Sequence, residues 1–278
     1  MTDQPLVPPV VLAAFGVDDD PVALDGGQGS SVRAGHLVLK PYADDTETAW
    51  FAGLVARTRC RGFRLPAPVA ALDGRWTVDG WAAVEHAPGR AEPEGRWPEA
   101  VAAGRAFHTA VAAEPRPVHL AGRTHRWAVA DRVAWGERTV EVGPRSTTLL
   151  ARLEALRRDL DLPSQLVHGD LSGNVLLADG LDPAIIDVSP YWRPAAYADA
   201  VLVVDALLWW QEPESVADEL APPELAEHDW HQLLVRAAIF RLISLDEAHR
   251  LADPDVVEQL PAYERAVRLL QRGRARSD

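Results

Sequence analysis

Four residues of the chain have side chains suited to metal and phosphate chemistry. Asp170 and Asn174 lie four residues apart in LVHGDLSGNVLL, and Asp187 follows the apolar pair Ile185-Ile186. Carboxylate and amide oxygens bind Mg²⁺ well, and a carboxylate can also accept a proton. Lys40 is the only lysine among 28 basic residues, and Asn174 is the only asparagine. A chain that otherwise uses arginine keeps such rare residues mainly where their near-equivalents fail chemically.

These residue types suit phosphoryl transfer, which requires mostly positioning and neutralisation of charge. If strands over 175–178 and 184–188 pair as a hairpin, Asn174 and Asp187 lie side by side and could share one Mg²⁺. Asp170 would orient and deprotonate an acceptor hydroxyl, and Lys40 would bind the α- and β-phosphates. Each residue alone has an ordinary interpretation as a turn, cap or strand-end residue. Their combination favours the chemical interpretation.

The elements that would position these residues fall into two predicted lobes, 1–86 and 87–278. In the first lobe a glycine-containing turn joins two extended segments, and the strand 37–39 ends at Lys40. A helix is predicted over Asp44 to Arg57, and Asp79-Gly80 predicts a hairpin. In the second lobe apolar periodicity predicts helices over 98–113, 146–160, 197–210, 229–251 and 255–272. The sequence therefore predicts an α+β fold with a small antiparallel sheet and a larger, mostly helical lobe.

Composition and charge narrow the classes of function. The net charge is −13 and no Lys/Arg-rich stripe interrupts it, so a nucleic-acid partner is not expected. The acidic excess favours a neutral or cationic small substrate, or it confers solubility alone. Cys60, the single cysteine, cannot form an internal disulfide. The first twenty residues resemble neither a signal peptide nor a membrane span, which predicts no membrane partner and a cytoplasmic location.

The segment HGDLSGNVLL followed by IIDV is similar to the Brenner-type motif and metal-binding aspartate of the aminoglycoside phosphotransferase and choline kinase-like families, within the protein kinase-like fold. The resemblance implies that Asp170 is the catalytic base, that Asn174 and Asp187 are Mg²⁺ ligands, and that His168 braces the loop. It also implies ATP as the phosphoryl donor. The correspondence spans nearly the whole chain, but only the segment from His168 to Asp187 is specific.

The resemblance further implies where the nucleotide is bound. The phosphates would meet the glycine-containing turn, adenine would meet the main chain after the strand 81–84, and a carboxylate on the first helix would pair with Lys40. The residues concerned are Gly27, Gly29, Ser30 and Ser31 at the turn, Glu85 and Ala87 at adenine, and Glu47, with Asp44 as the alternative, on the helix. The turn lacks the full glycine pattern of protein kinases, and Asp187 is followed by Val-Ser-Pro instead of Phe-Gly.

The stretch after Asp187 bears on the acceptor. Only SPYWRPAA separates it from the next predicted helix, which is too short for a peptide-docking segment, so a protein substrate is not expected. Trp192, Arg193 and Asp199 are the predicted acceptor contacts. Arg193 would pair with Asp199 or with substrate, or lie at the surface. At least one residue of the pair Trp209-Trp210 is expected to be core at a helix end.

These observations predict an ATP- and Mg²⁺-dependent small-molecule kinase. It would move the γ-phosphoryl group to a hydroxyl of a sugar, an amino sugar, an aminoglycoside-like compound or an amino alcohol. The alternative is a catalytically silent, kinase-like module that binds a nucleotide or a partner. Substitution of Asp170 by Asn separates the two, because only the kinase would lose turnover.

Overall fold

The computed structural model describes residues 7–24, 30–91, 93–250 and 259–277. The elements in chain order are α1 (Pro9–Ala14), β1 (Val22–Ala23), β2 (Val32–Ala34), β3 (Leu37–Lys40), α2 (Asp45–Arg57), β4 (Pro68–Val69), β5 (Thr77–Val78), β6 (Trp81–Glu85), α3 (Trp97–Ala110), α4 (Arg126–Ala134), α5 (Pro144–Leu156), β7 (Gln165–His168), β8 (Val175–Leu176), β9 (Ala184–Ile185), β10 (Pro190–Arg193), α6 (Ala195–Trp209), α7 (Val216–Glu219), α8 (Glu227–Arg250) and α9 (Leu260–Ser277). A 3₁₀ turn at Val118–Gly122 precedes α4.

The chain forms two compact units. The first comprises residues 1–111 and 173–188, and the second comprises 112–172 and 189–278. This division differs from the predicted one at residue 86, because α3 and the segment 173–188 both group with the first unit. The predicted lobe boundary near residue 87 stays a prediction.

The first unit is built on an antiparallel sheet in the order β1-β2-β3-β6-β4, with β5 paired to β6. Alternate residues of β3, Leu37 and Leu39, are fully buried in an apolar core that also includes Phe15 and Trp81. Asp79 and Gly80 both have positive φ, 48° and 77°, as the twist of a two-residue hairpin turn requires. The predicted hairpin is confirmed.

Main-chain hydrogen bonds tie the β8–β9 segment to the first unit. The Arg64 amide donates to the Pro183 carbonyl at 2.7 Å, and the Ile185 amide donates to the Arg64 carbonyl at 2.9 Å. Arg90 and Leu177 exchange two further bonds of 3.0 and 2.9 Å. Gly89 is required beside them, because a Cβ there would lie 2.9 Å from the Cβ of Leu176.

The second unit combines the β7–β10 strand pair with helices α4 to α9. The 24-residue helix α8 packs against α4, α5, α6 and α9. Helix α6 is buried on nearly every side, which accounts for its continuous apolar sequence. Each predicted helix is present with shifted ends, except that residues 251 and 255–258 lie outside the described ranges. The α+β prediction is confirmed, whereas α1, α4, α7, β4 and β10 were not predicted.

No helix within the described ranges combines the length and apolar character needed to cross a membrane.

Candidate active site

Lys40 and Asp187 form an ion pair in the first unit. Lys40 ends β3 opposite Ala82, and Asp187 follows β9 with a φ of 48°. The Lys40 ammonium contacts Oδ1 of Asp187. Burial lowers the pKa of Lys40 to about 8. With a pKa above 7, Lys40 is mainly a cation at neutral pH, as phosphate binding requires.

Asn174 lies opposite Ile186, the residue before Asp187, at the open end of the β8–β9 hairpin. Val175 pairs with Ile185, and the Ile186 amide donates to the Asn174 carbonyl at 2.9 Å. The predicted hairpin is therefore confirmed. Both side chains are partly exposed and offer hard oxygen donors, a donor set that fits Mg²⁺.

A protein-only metal cage is not found at this hairpin. Among the described residues, no group of three or more His, Cys, Asp and Glu side chains could hold a metal. Magnesium commonly uses one or two protein oxygens together with phosphate oxygens and water. Two protein ligands are thus chemically sufficient for a nucleotide-bound ion.

Asp170 lies in the second unit, in the loop after β7, and a buried histidine braces this loop. His168 is fully buried, and its Nδ1 accepts the amides of Asp170 at 3.2 Å and Ser189 at 3.4 Å. A ring nitrogen that accepts has no proton, so the neutral ring carries its proton on Nε2. The Gly169 amide also donates to the Ser189 carbonyl at 2.9 Å. The bracing role predicted for His168 is confirmed.

Gly169 is sterically required in this loop. A Cβ at this position would lie 2.4 and 2.7 Å from ring atoms of Tyr191. Tyr191 is buried on β10 and packs edge-on against Phe240, with ring centroids 6.0 Å apart. The aromatic ring thus packs directly on the main chain beside Asp170.

The carboxylate of Asp170 is bound by an arginine of α8. Arg241 Nη2 donates to Oδ1 of Asp170 at 2.6 Å. The same guanidinium binds Asp205 of α6 through two bonds, 2.6 Å from Nε and 2.5 Å from Nη2. Arg241 is 4% exposed and Asp205 is fully buried, whereas 36% of the Asp170 side chain is exposed.

Burial shapes the ionisation of the buried pair. It raises the pKa of Asp205 to about 6, although Arg241 opposes the rise, so the carboxylate is ionised at neutral pH. Burial also acts to lower the pKa of Arg241, but the carboxylates of Asp205 and Asp170 outweigh it and the net shift is upward. Arg241 is therefore a permanent cation.

The predicted nucleotide contacts are only partly described. Gly27 and Gly29 lie outside the described residues, and Ser30 and Ser31 are half-buried just before β2. The Glu85 amide donates to the Ala67 carbonyl at 2.9 Å, so at Glu85 only the carbonyl stays a predicted adenine contact. Ala87 is half-buried after β6, and its contact with adenine also stays a prediction.

The helix partner predicted for Lys40 stays a prediction. Lys40 contacts Asp187, because the loop after β9 brings a carboxylate to the end of β3. Asp44 instead caps α2 by accepting the Glu47 amide at 2.9 Å. A nucleotide contact for Glu47, which is half-buried on α2, stays a prediction.

Arg193 is held by two carboxylates of its own unit. It binds Asp131 at 2.6 Å and Glu137 at 2.6 Å, and it lies over the Trp135 ring at 4.8 Å. The expected alternatives of pairing with Asp199 or lying at the surface are therefore wrong. Asp131 is the more buried of the two carboxylates, and burial raises its pKa in spite of Arg193.

The other predicted acceptor contacts differ in exposure. Asp199 is 1% exposed near the start of α6, and Trp192 is half-buried on β10 opposite Leu166. Their contact with an acceptor stays a prediction. Trp209 is 41% exposed and Trp210 is half-buried, so the expectation that one of these rings is core is wrong. The ring of Trp209 lies 4.9 Å from the Arg241 guanidinium carbon.

Sequence reasoning missed Arg241 and the steric role of Gly169. Arg241 interrupts the apolar run AAIFRLI of α8, and a charge in such a run is a signal of a buried ion pair. Its partner Asp205 likewise interrupts VLVVDALL of α6. The requirement for Gly169 depends on the position of Tyr191, which no local pattern reveals.

The two units together define an α+β, protein kinase-like fold, and comparison with solved structures confirms it. One similar structure is a thermostable mutant of aminoglycoside phosphotransferase APH(4)-Ia in complex with ADP and hygromycin B. The match covers 95% of this chain and 99% of that protein, with a TM-score of 0.61 and 19% identity. Spectinomycin phosphotransferase APH(9)-Ia, bound to ADP and spectinomycin, matches over 95% of this chain and 96% of its own, with a TM-score of 0.59 and 14% identity.

A third similar structure is an aminoglycoside phosphotransferase from Alicyclobacillus acidocaldarius. The match covers 99% of this chain and 96% of that protein, with a TM-score of 0.58 and 16% identity. No protein-family model and no curated protein sequence matches this chain. The predicted resemblance is therefore confirmed at the level of the fold.

Proposed function

We propose that this chain is an ATP- and Mg²⁺-dependent kinase that phosphorylates a hydroxyl of a small molecule. The observation that carries the proposal is the ion pair of Lys40 with Asp187, which follows the hairpin that Asn174 precedes, in a first unit that also contains the antiparallel sheet. The fold supports it, since the similar structures include phosphotransferases crystallised with ADP and with AMP-PNP.

In the proposed reaction Asp170 accepts the proton of the acceptor hydroxyl. The acceptor oxygen forms a bond to the γ-phosphorus, the bond from that phosphorus to the β,γ-bridging oxygen breaks, and ADP leaves with the bonding electrons. Lys40 binds the phosphates as a cation. Asn174 and Asp187 would hold Mg²⁺, which neutralises phosphate charge when bound.

The acceptor is proposed to be a sugar, an amino sugar, an aminoglycoside-like compound or an amino alcohol. Spectinomycin and hygromycin B in the similar structures support this class of polar ring compound. The net charge of −13 also favours a neutral or cationic acceptor over a nucleic acid. Trp192, Arg193 and Asp199 remain proposed residues of the acceptor region. Arg193 and Asp199 are largely buried and would support this region from within the protein.

The proposal is tested by measuring ADP release with MgATP over a panel of sugars, amino sugars, aminoglycosides, choline-like alcohols and nucleosides. We expect at least one acceptor to raise ADP release above the rate with water alone. Asp170→Asn should lower kcat by about 10² to 10⁴-fold, the range typical for a general base, while MgATP binding persists.

Asp179→Asn is the matched control, because Asp179 is an exposed acid in the turn between β8 and β9. It should keep wild-type turnover. A chain that binds MgATP but gives no acceptor-dependent ADP release would instead be a silent nucleotide-binding module. Equal rates for Asp170→Asn and wild type would also contradict the proposal.

A further inference from the structure

A buried guanidinium directly contacts the residue proposed as the catalytic base. Arg241 lies within α8, 71 positions from Asp170 in the sequence, and its Nη2 donates to Oδ1 of Asp170 at 2.6 Å. The same Nη2 donates to Oδ2 of Asp205 at 2.5 Å. One nitrogen thus bridges a fully buried carboxylate and a partly exposed one.

The position of this guanidinium is fixed from several directions. Asp205 binds it through two nitrogens in the paired geometry that suits a planar guanidinium. The rings of Trp209 and Phe240 each lie 4.9 Å from its central carbon. Since Arg241 is held by two helices and two rings, it can hold Asp170 in turn.

We infer that Arg241 is a positioning residue for Asp170, and that Asp205 holds Arg241 in place. This inference rests on the proposed function. Arg241 touches neither acceptor nor nucleotide in the proposed reaction and orients the carboxylate that takes the acceptor proton. A lysine could not replace it fully, because a single ammonium lacks the planar fork that binds Asp205 twice and Asp170 once.

The test must separate loss of orientation from loss of folding. Arg241→Gln alone leaves Asp205 as a buried charge without its cation, which is costly to the fold. The double variant Arg241→Gln/Asp205→Asn removes both charges and places two amides where they can bond to each other. It deprives Asp170 of its guanidinium without leaving a buried charge.

The measurement is kcat and KM for MgATP with the acceptor that gives the highest ADP release in the panel. Misplacement of a reacting group by about 1 Å costs about 100-fold, so the double variant should lose about 100-fold in kcat. KM for MgATP should stay within about threefold, because Lys40 and Asp187 are unchanged. Arg241→Lys should have a kcat between that of the double variant and that of wild type.

Arg236→Gln is the matched control on the same helix. Arg236 is 5% exposed, binds the Arg158 carbonyl at 2.6 Å and does not contact Asp170. This variant should lower the melting temperature but keep wild-type kcat. The inference is overturned if the double variant keeps kcat within about threefold of wild type, or if Arg236→Gln loses as much.

The outcomes distinguish this inference from the proposed function. Wild-type ADP release together with undiminished kcat in the double variant would overturn only the positioning role. Absence of acceptor-dependent ADP release from the wild-type chain would overturn the proposed function, and the positioning role with it.

Discussion

Asp205 is a fully buried carboxylate whose ionisation is linked to the stability of the fold. It faces Arg241 of α8, Asp170 of the loop after β7 and Tyr263 of α9. Burial raises its pKa from 3.8 to about 6. A folded state that holds a proton more tightly than the unfolded state loses stability as the pH rises through the interval between the two pKa values.

We therefore expect wild-type stability, measured relative to Asp205→Asn, to fall as the pH rises from about 4 to about 6 and to be constant above about 7. The fall should be on the order of 2 to 3 kcal/mol, from the size of the pKa shift. Urea unfolding of both proteins at several pH values measures it. A difference between the two proteins that does not vary with pH would show that Asp205 has an ordinary pKa.

At the residue scale, the sequence was informative where the residue type itself carries the chemistry. Lys40 and Asn174 are rare in this chain, and Asp187 follows an apolar pair. Their residue types and positions together suggested that they act together. Arg241 and Asp131 could not be assigned partners in this way. Their ion pairs join residues 71 and 62 positions apart, and such pairing depends on how helices pack.

At the element scale, the β7–β10 pair shapes the loop that carries Asp170. His168 lies opposite Pro190 and Val167 lies opposite Tyr191, which places the Tyr191 ring against Gly169. Gly169→Ala would force the added Cβ into that ring. Overpacking of a buried site costs about 1–3 kcal/mol, so we expect a loss of this size in unfolding free energy and a lower kcat through movement of Asp170.

Gly122→Ala is the control for this substitution, because a Cβ at Gly122 would meet nothing within 4 Å. Its unfolding free energy should stay close to that of wild type. Urea unfolding and ADP-release kinetics of both variants provide the comparison. Wild-type stability of Gly169→Ala would show that Tyr191 can move away without cost.

The elements with the strongest local signals were predicted, whereas strand β10, which depends on pairing with a distant strand, was not. The signal for α2 lies in its cap residue Asp44 and its apolar face. The signal for the β5–β6 hairpin lies in the adjacent residues Asp79 and Gly80. Strand β10 was not predicted, because PYWR has no alternation and becomes a strand only by pairing with β7. Helix α6 was predicted in spite of burial on nearly all sides, since its length exceeds that of a strand.

At the scale of the whole molecule, the proposed function couples nucleotide binding to stability. A ligand that binds only the folded state stabilises it by about 2.7 kcal/mol at 100 times its Kd. For a chain of this size each kcal/mol raises the melting temperature by about 2–4 °C, so saturating MgATP should raise it by about 5–10 °C.

Lys40→Met should abolish most of this rise, because it removes the cation proposed to bind the phosphates. Asp170→Asn should keep the rise while losing turnover, since its proposed partner is the acceptor hydroxyl. Differential scanning fluorimetry with and without MgATP measures all three proteins, and an undiminished rise in Lys40→Met would exclude Lys40 from nucleotide binding.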